Sequence, residues 1–206
     1  MVCARYVYDT LLGLSYEEIE AEIRRIKRRI TYLKAEVLLE DLSGEWVCPS
    51  AWLRLAFLRE ELEDAIKAYV DTGYEIKFTL VEKGQDRFQE DFKRLKNMTF
   101  SRTGTDKEEV WSLQFLRKRV KIVHNDRRSG RGKVWYVPKG ELIDLLRQLH
   151  IEEWRRRYRA LVARGEKWSL IFIYGDGTKR RYDGVDAYPF SYFRLIEVLE
   201  NACSMN

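Results

Sequence analysis

The sequence has few of the residues on which metal sites, common catalytic sites and disulfide frameworks depend. Its 206 residues include two histidines, His124 and His150, and three cysteines. Histidine is the commonest general base and metal ligand, so zinc hydrolases and most catalytic triads lack their usual residues. The cysteines match no zinc spacing, and their odd number argues against a disulfide framework. We expect free thiols in a reducing cytoplasm, with no metal site and no cofactor.

Long apolar runs are also missing. Leu170 to Tyr174 is typical of the longest, so we expect no membrane span. Met1 to Leu14 lacks the basic start and apolar stretch of a signal peptide. Only 3 prolines and 12 glycines exclude collagen-like and linker-like sequence. A chain that is 45% hydrophobic and 13% aromatic is not disordered. These limits leave a folded cytoplasmic protein.

Charge is distributed unevenly along the chain. Residues 1–73 hold 10 Lys and Arg against 14 Asp and Glu, whereas residues 74–206 hold 28 against 19. Residues 117–133 alone carry eight basic side chains and one acid, Asp126. This asymmetry indicates a polyanionic partner for the second part of the chain, or a charged face that only keeps the protein soluble.

Residues 1–73 predict an antiparallel helical hairpin. Ser15 and Glu18 have the spacing of a capping box, and Gly44 ends the first helix. A second helix begins near Pro49 and Ser50, and Gly73 follows it. The apolar stripe of the first helix is Ile19, Ile23, Ile26, Ile30, Leu33 and Val37. The apolar stripe of the second helix is Leu55, Leu58, Leu62, Ile66 and Tyr69. Steps of three and four make each stripe a packing seam.

A two-helix hairpin buries one stripe per helix and needs a third surface. It can be a scaffold that packs on its own chain, or a protruding arm that forms the seam of a homodimer. The pair Glu20 and Arg24 has the spacing of a surface salt bridge within one helix.

Residues 74–206 predict a basic α+β body, so the fold class is α+β, with a mainly antiparallel sheet and flanking helices. Alternating apolar residues predict strands over 74–80, 110–116, 118–123, 134–137, 168–174 and 178–182. Helices are predicted over 87–96, after Gly140, over 151–164 and near Phe193 to Leu199. The segment 101–106 is predicted as a loop.

The segment from Trp168 to Pro189 carries the most distinctive pattern. It runs from Trp168 through Tyr174-Gly-Asp-Gly-Thr to Tyr182, Gly184 and Tyr188-Pro189. Over about 35 residues it resembles a C-terminal hairpin-and-helix module of uncharacterised proteins encoded by phages and plasmids of Gram-positive bacteria. The resemblance implies a mobile genetic element in a bacterial host cytoplasm and carries no catalytic residue. Small proteins of such elements include anti-CRISPR inhibitors and other counter-defence factors.

Three basic clusters are the candidate contact surface. The first surrounds the predicted hairpin tip at residues 125–133, where cations would project from a rigid ladder toward phosphates. The second is a helix on which Arg155 and Arg159 would share a face, and the third is the strand that begins at Lys179. The candidate nucleic-acid-binding residues are Arg117, Arg119, Lys121, Arg127, Arg128, Arg131, Lys133, Arg155, Arg159, Lys179 and Arg181.

A magnesium-dependent nuclease is the enzymatic alternative. Glu75 and Lys77 would share one face of a strand, with Asp71 just before it. This spacing is common in charged strands, and no Ser/His/Asp or Cys/His set can be named. We therefore expect a non-enzymatic binding protein that contacts nucleic acid or a ribonucleoprotein, such as a CRISPR effector complex, and inhibits a host defence nuclease. A protein-binding scaffold or inhibitor that acts through the hairpin is the other alternative.

Overall fold

A computed structural model describes residues 4–45, 47–105, 108–128, 130–161 and 165–203. The chain divides into two compact units, residues 1–79 and 80–206. The first unit is helical, and the second contains a seven-stranded, mainly antiparallel sheet with helices, so the predicted α+β class is confirmed. Within the part of the chain that the structure describes, every helix is too short or too polar to cross a membrane.

The first unit contains the predicted helical hairpin. Its described helices are α1 (Ala4–Leu11), α2 (Tyr16–Ser43) and α3 (Ala51–Asp71). At the start of α2 the Ser15 hydroxyl accepts a bond from the Glu18 amide, and the Glu18 carboxylate accepts one from the Ser15 amide. Gly44 closes α2 at φ 67°, a left-handed conformation that glycine adopts without strain. The capping residues therefore define where α2 begins and ends.

The hairpin is closed along the predicted seam of α2. All six apolar residues of that stripe, from Ile19 to Val37, are buried. On α3 the prediction is only partly confirmed, because Leu55 and Leu58 are buried whereas Leu62, Ile66 and Tyr69 are half-buried. Ala65 and Ala68 occupy the seam in that half of α3. Alanine lets helix backbones approach closely, and α1 packs on the same helix.

The second unit is built from three helices and seven strands among its described residues. In chain order they are α4 (Leu80–Asp91), β1 (Leu95–Thr103), β2 (Glu108–Phe115), β3 (Arg119–Asp126), β4 (Arg131–Pro138), α5 (Lys139–Gln148), β5 (Arg157–Arg159), β6 (Lys167–Tyr174), β7 (Lys179–Val185) and α6 (Tyr192–Ala202). The strand order across the sheet is β4-β3-β2-β1-β6-β7-β5. Every pair is antiparallel except β5 with β7. The strands predicted at β2, β3, β4, β6 and β7 are confirmed.

The strand predicted over 74–80 is wrong. Residues 74–79 have no regular structure, and α4 already begins at Leu80. The Tyr74 ring instead packs on the hairpin, 4.6 Å from the ring of Tyr16 and 5.9 Å from that of Tyr69. The helix predicted over 87–96 consequently lies too far along the chain, since Leu95 opens β1.

Two further predictions fail in the second unit. Ser101 to Thr103 continue β1 rather than forming a loop, whereas Asp106 lies outside the described residues. The helix predicted over 151–164 is a single 3-10 turn at Ile151–Glu153 followed by the strand β5, and residues 162–164 lie outside the described residues. The backbone is extended at Trp154, whose buried indole donates a hydrogen bond to the Ser191 hydroxyl at 3.0 Å.

The core of the second unit lies between one face of the sheet and the helices. Phe172 of β6 is fully buried and meets Phe88 of α4, Phe92 and Tyr182 edge to face, with ring centroids 5.6 to 6.3 Å apart. Gly184 of β7 lies against the Trp168 indole, so a side chain there would collide with the ring. One sheet face is therefore filled with aromatic side chains.

Truncating this core tests the assignment of the two faces. We expect Phe172→Ala to lower the free energy of unfolding by about 3–5 kcal/mol, because it leaves a cavity among aromatic rings. The neighbouring Ile173 points to the other face and is half-buried. Ile173→Ala should cost only about 1–2 kcal/mol in the same urea denaturation experiment. Equal losses for the two variants would contradict the assignment.

A second prediction concerns stability at high pH. Burial raises the pKa of Tyr174 to about 12, and nearby Arg180 opposes the rise. The unfolded chain has a tyrosine pKa of about 10, so the folded state favours the neutral phenol. This stabilisation is complete below about pH 10 and is lost as the pH rises to about 12. Urea denaturation should show that Tyr174→Phe loses less stability than the native chain across this range, and parallel losses would contradict it.

Candidate nucleic-acid interface

The side chains on the two faces of the sheet differ in burial. Strand alternation and register place the buried side chains of all central strands on one face, against which α4, α5 and α6 pack. On the other face, which we call the open face, the central side chains are half-buried or exposed. Its central side chains are Asn97, Thr99, Ser101, Val110, Ser112, Gln114, Lys121, Val123, Ser169, Ile171, Ile173, Lys179 and Arg181.

Two predicted lysines lie on one row across the open face. The register joins Lys121 of β3 to Gln114, Asn97, Ile173 and finally Lys179 of β7. Four strand spacings of about 4.8 Å separate β3 from β7, so the two lysines stand about 19 Å apart. They therefore mark opposite sides of the open face at the same height.

More cations surround this row. Arg181 lies on the next row, opposite Ile171, and its Nε is 3.3 Å from the Asp183 carboxylate. Arg159 lies on the edge strand β5, opposite Val185, and Arg119 lies at the other end of the face, opposite Pro138. Five of the eleven predicted residues thus belong to one face of the sheet.

The middle of the open face is uncharged and combines polar with aliphatic side chains. Thr99, Ser101, Ser112 and Ser169 come from three neighbouring strands and are all half-buried. The hydroxyls of Ser101 and Ser169 are hydrogen-bonded to each other at 2.9 Å. Hydroxyl and amide side chains commonly contact phosphates and sugars, so this region is chemically compatible with a nucleic-acid backbone.

The hairpin tip between β3 and β4 is held by contacts within the unit. The Arg127 guanidinium lies 3.1 Å from the Glu108 carboxylate, and the Arg128 guanidinium donates to the Thr105 carbonyl. The Arg128 amide donates to the Asp126 carboxylate at 3.0 Å. The side chain of Arg131 lies outside what the structure describes. The two described arginines are therefore exposed but already engaged.

Three other predicted residues lie apart from the open face. Lys133 faces the helix-covered side of β4, opposite His124, and its charge acts on the Cys203 thiol of the segment after α6. Arg117 is exposed in the turn between β2 and β3, and Arg155 is exposed in the segment before β5. Because residues 155–159 are not helical, Arg155 and Arg159 do not share a helix face as predicted.

The segment before β5 is fixed by a tyrosine. The Tyr158 hydroxyl accepts a hydrogen bond from the Arg155 amide at 2.9 Å. Burial raises the pKa of Tyr158, and this amide bond opposes the rise. The contact orients Arg155 outward but adds no charge to the open face.

Three residues of the open face were missed by the sequence analysis. Arg157 lies opposite Asp183 on the edge strand, and Lys167 lies opposite Thr103. Tyr136 lies beside Lys121 on β4 and is 49% exposed, which makes its ring available for stacking. Correct alternation over 133–137 and 167–173 would have found Tyr136 and Lys167, whereas the wrong helix over 151–164 concealed Arg157.

The geometry of the proposed nuclease residues differs from the prediction. Glu75 and Lys77 lie in the irregular segment 74–79, so no strand places them on a common face. Within the described ranges, no three or more His, Cys, Asp or Glu side chains are grouped so that they could hold a metal ion.

Comparison with known proteins finds no matching family model, no matching curated protein and no matching solved structure. The function is therefore argued from the geometry and charge of the open face.

Proposed function

We propose that the chain is a non-enzymatic binding protein whose open face binds nucleic acid, either free or exposed on a ribonucleoprotein. The observation that carries this proposal is the common placement of Lys121, Lys179 and Arg181 around an uncharged centre of hydroxyl, amide and aliphatic side chains. Cations at the sides of the face supply affinity through counterion release. The hydroxyls between them supply further backbone contacts without like-charge repulsion.

The balance of charge on this face supports the same proposal. Among the paired strand residues that the structure describes, the register gives the open face seven basic side chains and two acids. The basic residues are Arg119, Lys121, Arg157, Arg159, Lys167, Lys179 and Arg181. The acids, Glu108 and Asp183, lie toward one end of the face and pair with Arg127 and Arg181. The row from Lys121 to Lys179 carries no acid.

A nucleic-acid strand on this face would cross several protein strands. Tyr136 at one side offers a ring on which a base can stack, next to the Lys121 ammonium. Base stacking is tolerant of sequence because every base has an aromatic face. The proposed binding is therefore directed at the backbone and the shape of the strand, with little dependence on base sequence.

The proposed biological role is inhibition of a host defence nuclease of the CRISPR type. This part of the proposal depends on the resemblance of the segment from Trp168 to Pro189 to mobile-element proteins. In the structure that segment forms the hairpin of β6 and β7 followed by α6. The cations of the open face would occupy positions that the guide or target strand, or its protein clamp, requires.

Removing three cations from the open face tests the binding proposal. We expect the combined variant Lys121→Ala, Lys179→Ala and Arg181→Ala to bind single-stranded DNA or RNA at least about tenfold more weakly. The slope of log affinity against log salt should become shallower by about 2–3, because each lost phosphate contact removes about 0.7–0.9. Fluorescence anisotropy over a salt series measures both quantities.

A matched control removes the same charge elsewhere. Lys93→Ala, Lys133→Ala and Lys139→Ala together also lower the net charge by three, but Lys133 faces the helix-covered side and the other two lie outside the sheet's open face. This control should retain most of the affinity. Equal weakening by the two variants would show that only net charge matters, and no binding by the native chain at low salt would refute the proposal.

The ribonucleoprotein part of the proposal has its own test. The native chain, used as bait in a bacterial lysate, should retain a CRISPR-type protein partner after nuclease treatment, since a protected complex survives it. The combined variant Lys121→Ala, Lys179→Ala and Arg181→Ala should capture less of that partner. Loss of the partner after nuclease treatment would contradict a ribonucleoprotein target and restrict the proposal to free nucleic acid.

A further inference from the structure

The half of the hairpin nearest the α2–α3 connection exposes large apolar side chains. Tyr32 and Leu39 lie seven residues apart on α2, and Leu53 and Phe57 lie four apart on α3, so each pair occupies one side of its helix. Tyr32 is 73% exposed, Leu39 64%, and Leu53 and Phe57 45% each. We call these four residues the tip surface. So much apolar area on one element is typical of an interaction site.

A groove runs between the two helices at this surface. Tyr32 and Leu33 line it from α2, Phe57 and Leu58 line it from α3, and its volume is about 350 Å³. Leu33 and Leu58 are buried members of the hairpin seam, whereas the two aromatic rings stand at the sides of the groove. The groove is therefore shaped to receive apolar side chains from another helix.

The same side of α2 already has a helical neighbour near its start. Leu11 and Leu14 line a cavity against Arg25 of α2, and Leu11 is buried. Arg29, Tyr32 and Glu36 of α2 line the groove. They follow Arg25 at steps of four, three and four residues, so all four residues lie on one side of α2. The groove therefore continues the side of the hairpin on which α1 lies, beyond the eight residues of α1.

The charges within the groove are mixed and nearly balanced. The Arg54 guanidinium lies 2.9 Å from the Glu36 carboxylate and 3.5 Å from that of Glu40. Arg29 lies 3.8 Å from Glu61. Such a surface has no electrostatic preference for a polyanion or for a strongly basic protein. A second copy, related by a two-fold axis, brings an identical set of both signs, so each Arg can meet a Glu of its partner.

We propose that the tip surface binds the tip surface of a second copy of this chain. The two hairpins then pack as four helices, with Tyr32 and Phe57 of each copy filling the groove of the other, and the ion pairs lie at the border of the contact. Helix α1 packs near the other end of the α2–α3 layer, and the partner hairpin supplies a second surface for the outer apolar residues of this half. The proposal is independent of nucleic-acid binding, because it uses residues of the first unit alone.

Sedimentation equilibrium of the full chain over roughly 1–100 µM tests this proposal. The native chain should approach twice the monomer mass as the concentration rises. The double variant Tyr32→Glu and Phe57→Glu should remain monomeric over the same range, because it places like charges at the centre of the contact. Far-UV circular dichroism should show unchanged helix content, since both side chains are exposed in the monomer.

Val70→Glu is the matched control, because Val70 is 50% exposed and lies near the other end of α3. This variant should dimerise like the native chain. A native chain that stays monomeric would overturn the proposal, as would a dimer that survives the double variant or that Val70→Glu disrupts equally. Nucleic-acid affinity measured on the same samples keeps the two proposals separate, since the double variant leaves the open face intact.

Discussion

The packing of the described helices of the second unit against one sheet face is the constraint on which the proposed interface depends. Phe172 at the centre of β6 contacts Phe88 and Phe92, and Phe100 of β1 contacts Tyr192 of α6. These rings commit one face of the central strands β1 and β6 to the core. Because side chains alternate along a strand, the same backbone must present its other residues to the opposite side. The polar and basic residues of the open face are the complement of that aromatic core.

Features set by local periodicity could be predicted from the sequence. The steps from Ile19 to Val37 identify the seam of α2 without knowledge of its partner, and the Ser15–Glu18 box locates its start. The hairpin of β6 and β7 was equally predictable, since the Asp176–Gly177 turn directly follows the apolar strand β6. Gly177 adopts φ 82°, a conformation that favours glycine. Each of these features depends on residues close together in the chain.

Features set by distant partners were missed. The side chains of β1 that face the core are Met98, Phe100 and Arg102. From the sequence, an arginine at this position favours a loop, but the structure places its Nε 2.6 Å from the Glu109 carboxylate of β2. The β5 strand has only three residues and exists because it pairs in parallel with β7. The alternation from Tyr74 was misread for the opposite reason, since its ring packs on the helical hairpin and finds no strand partner.

The candidate interface shows why charge counted along a chain is a poor guide to charge on a surface. Arg180 lies between Lys179 and Arg181 in the chain, yet it turns to the core side, packs on the Phe88 ring and lies 3.8 Å from the Asp91 carboxylate. The dense cluster over 117–133 divides in the same way, since Lys121 reaches the open face and Lys133 the opposite one. Strand β7 lies four strands away from β3, and the register nevertheless places Lys179 in the same row as Lys121. Register across the sheet, more than proximity in sequence, therefore decides which cations can act on one ligand.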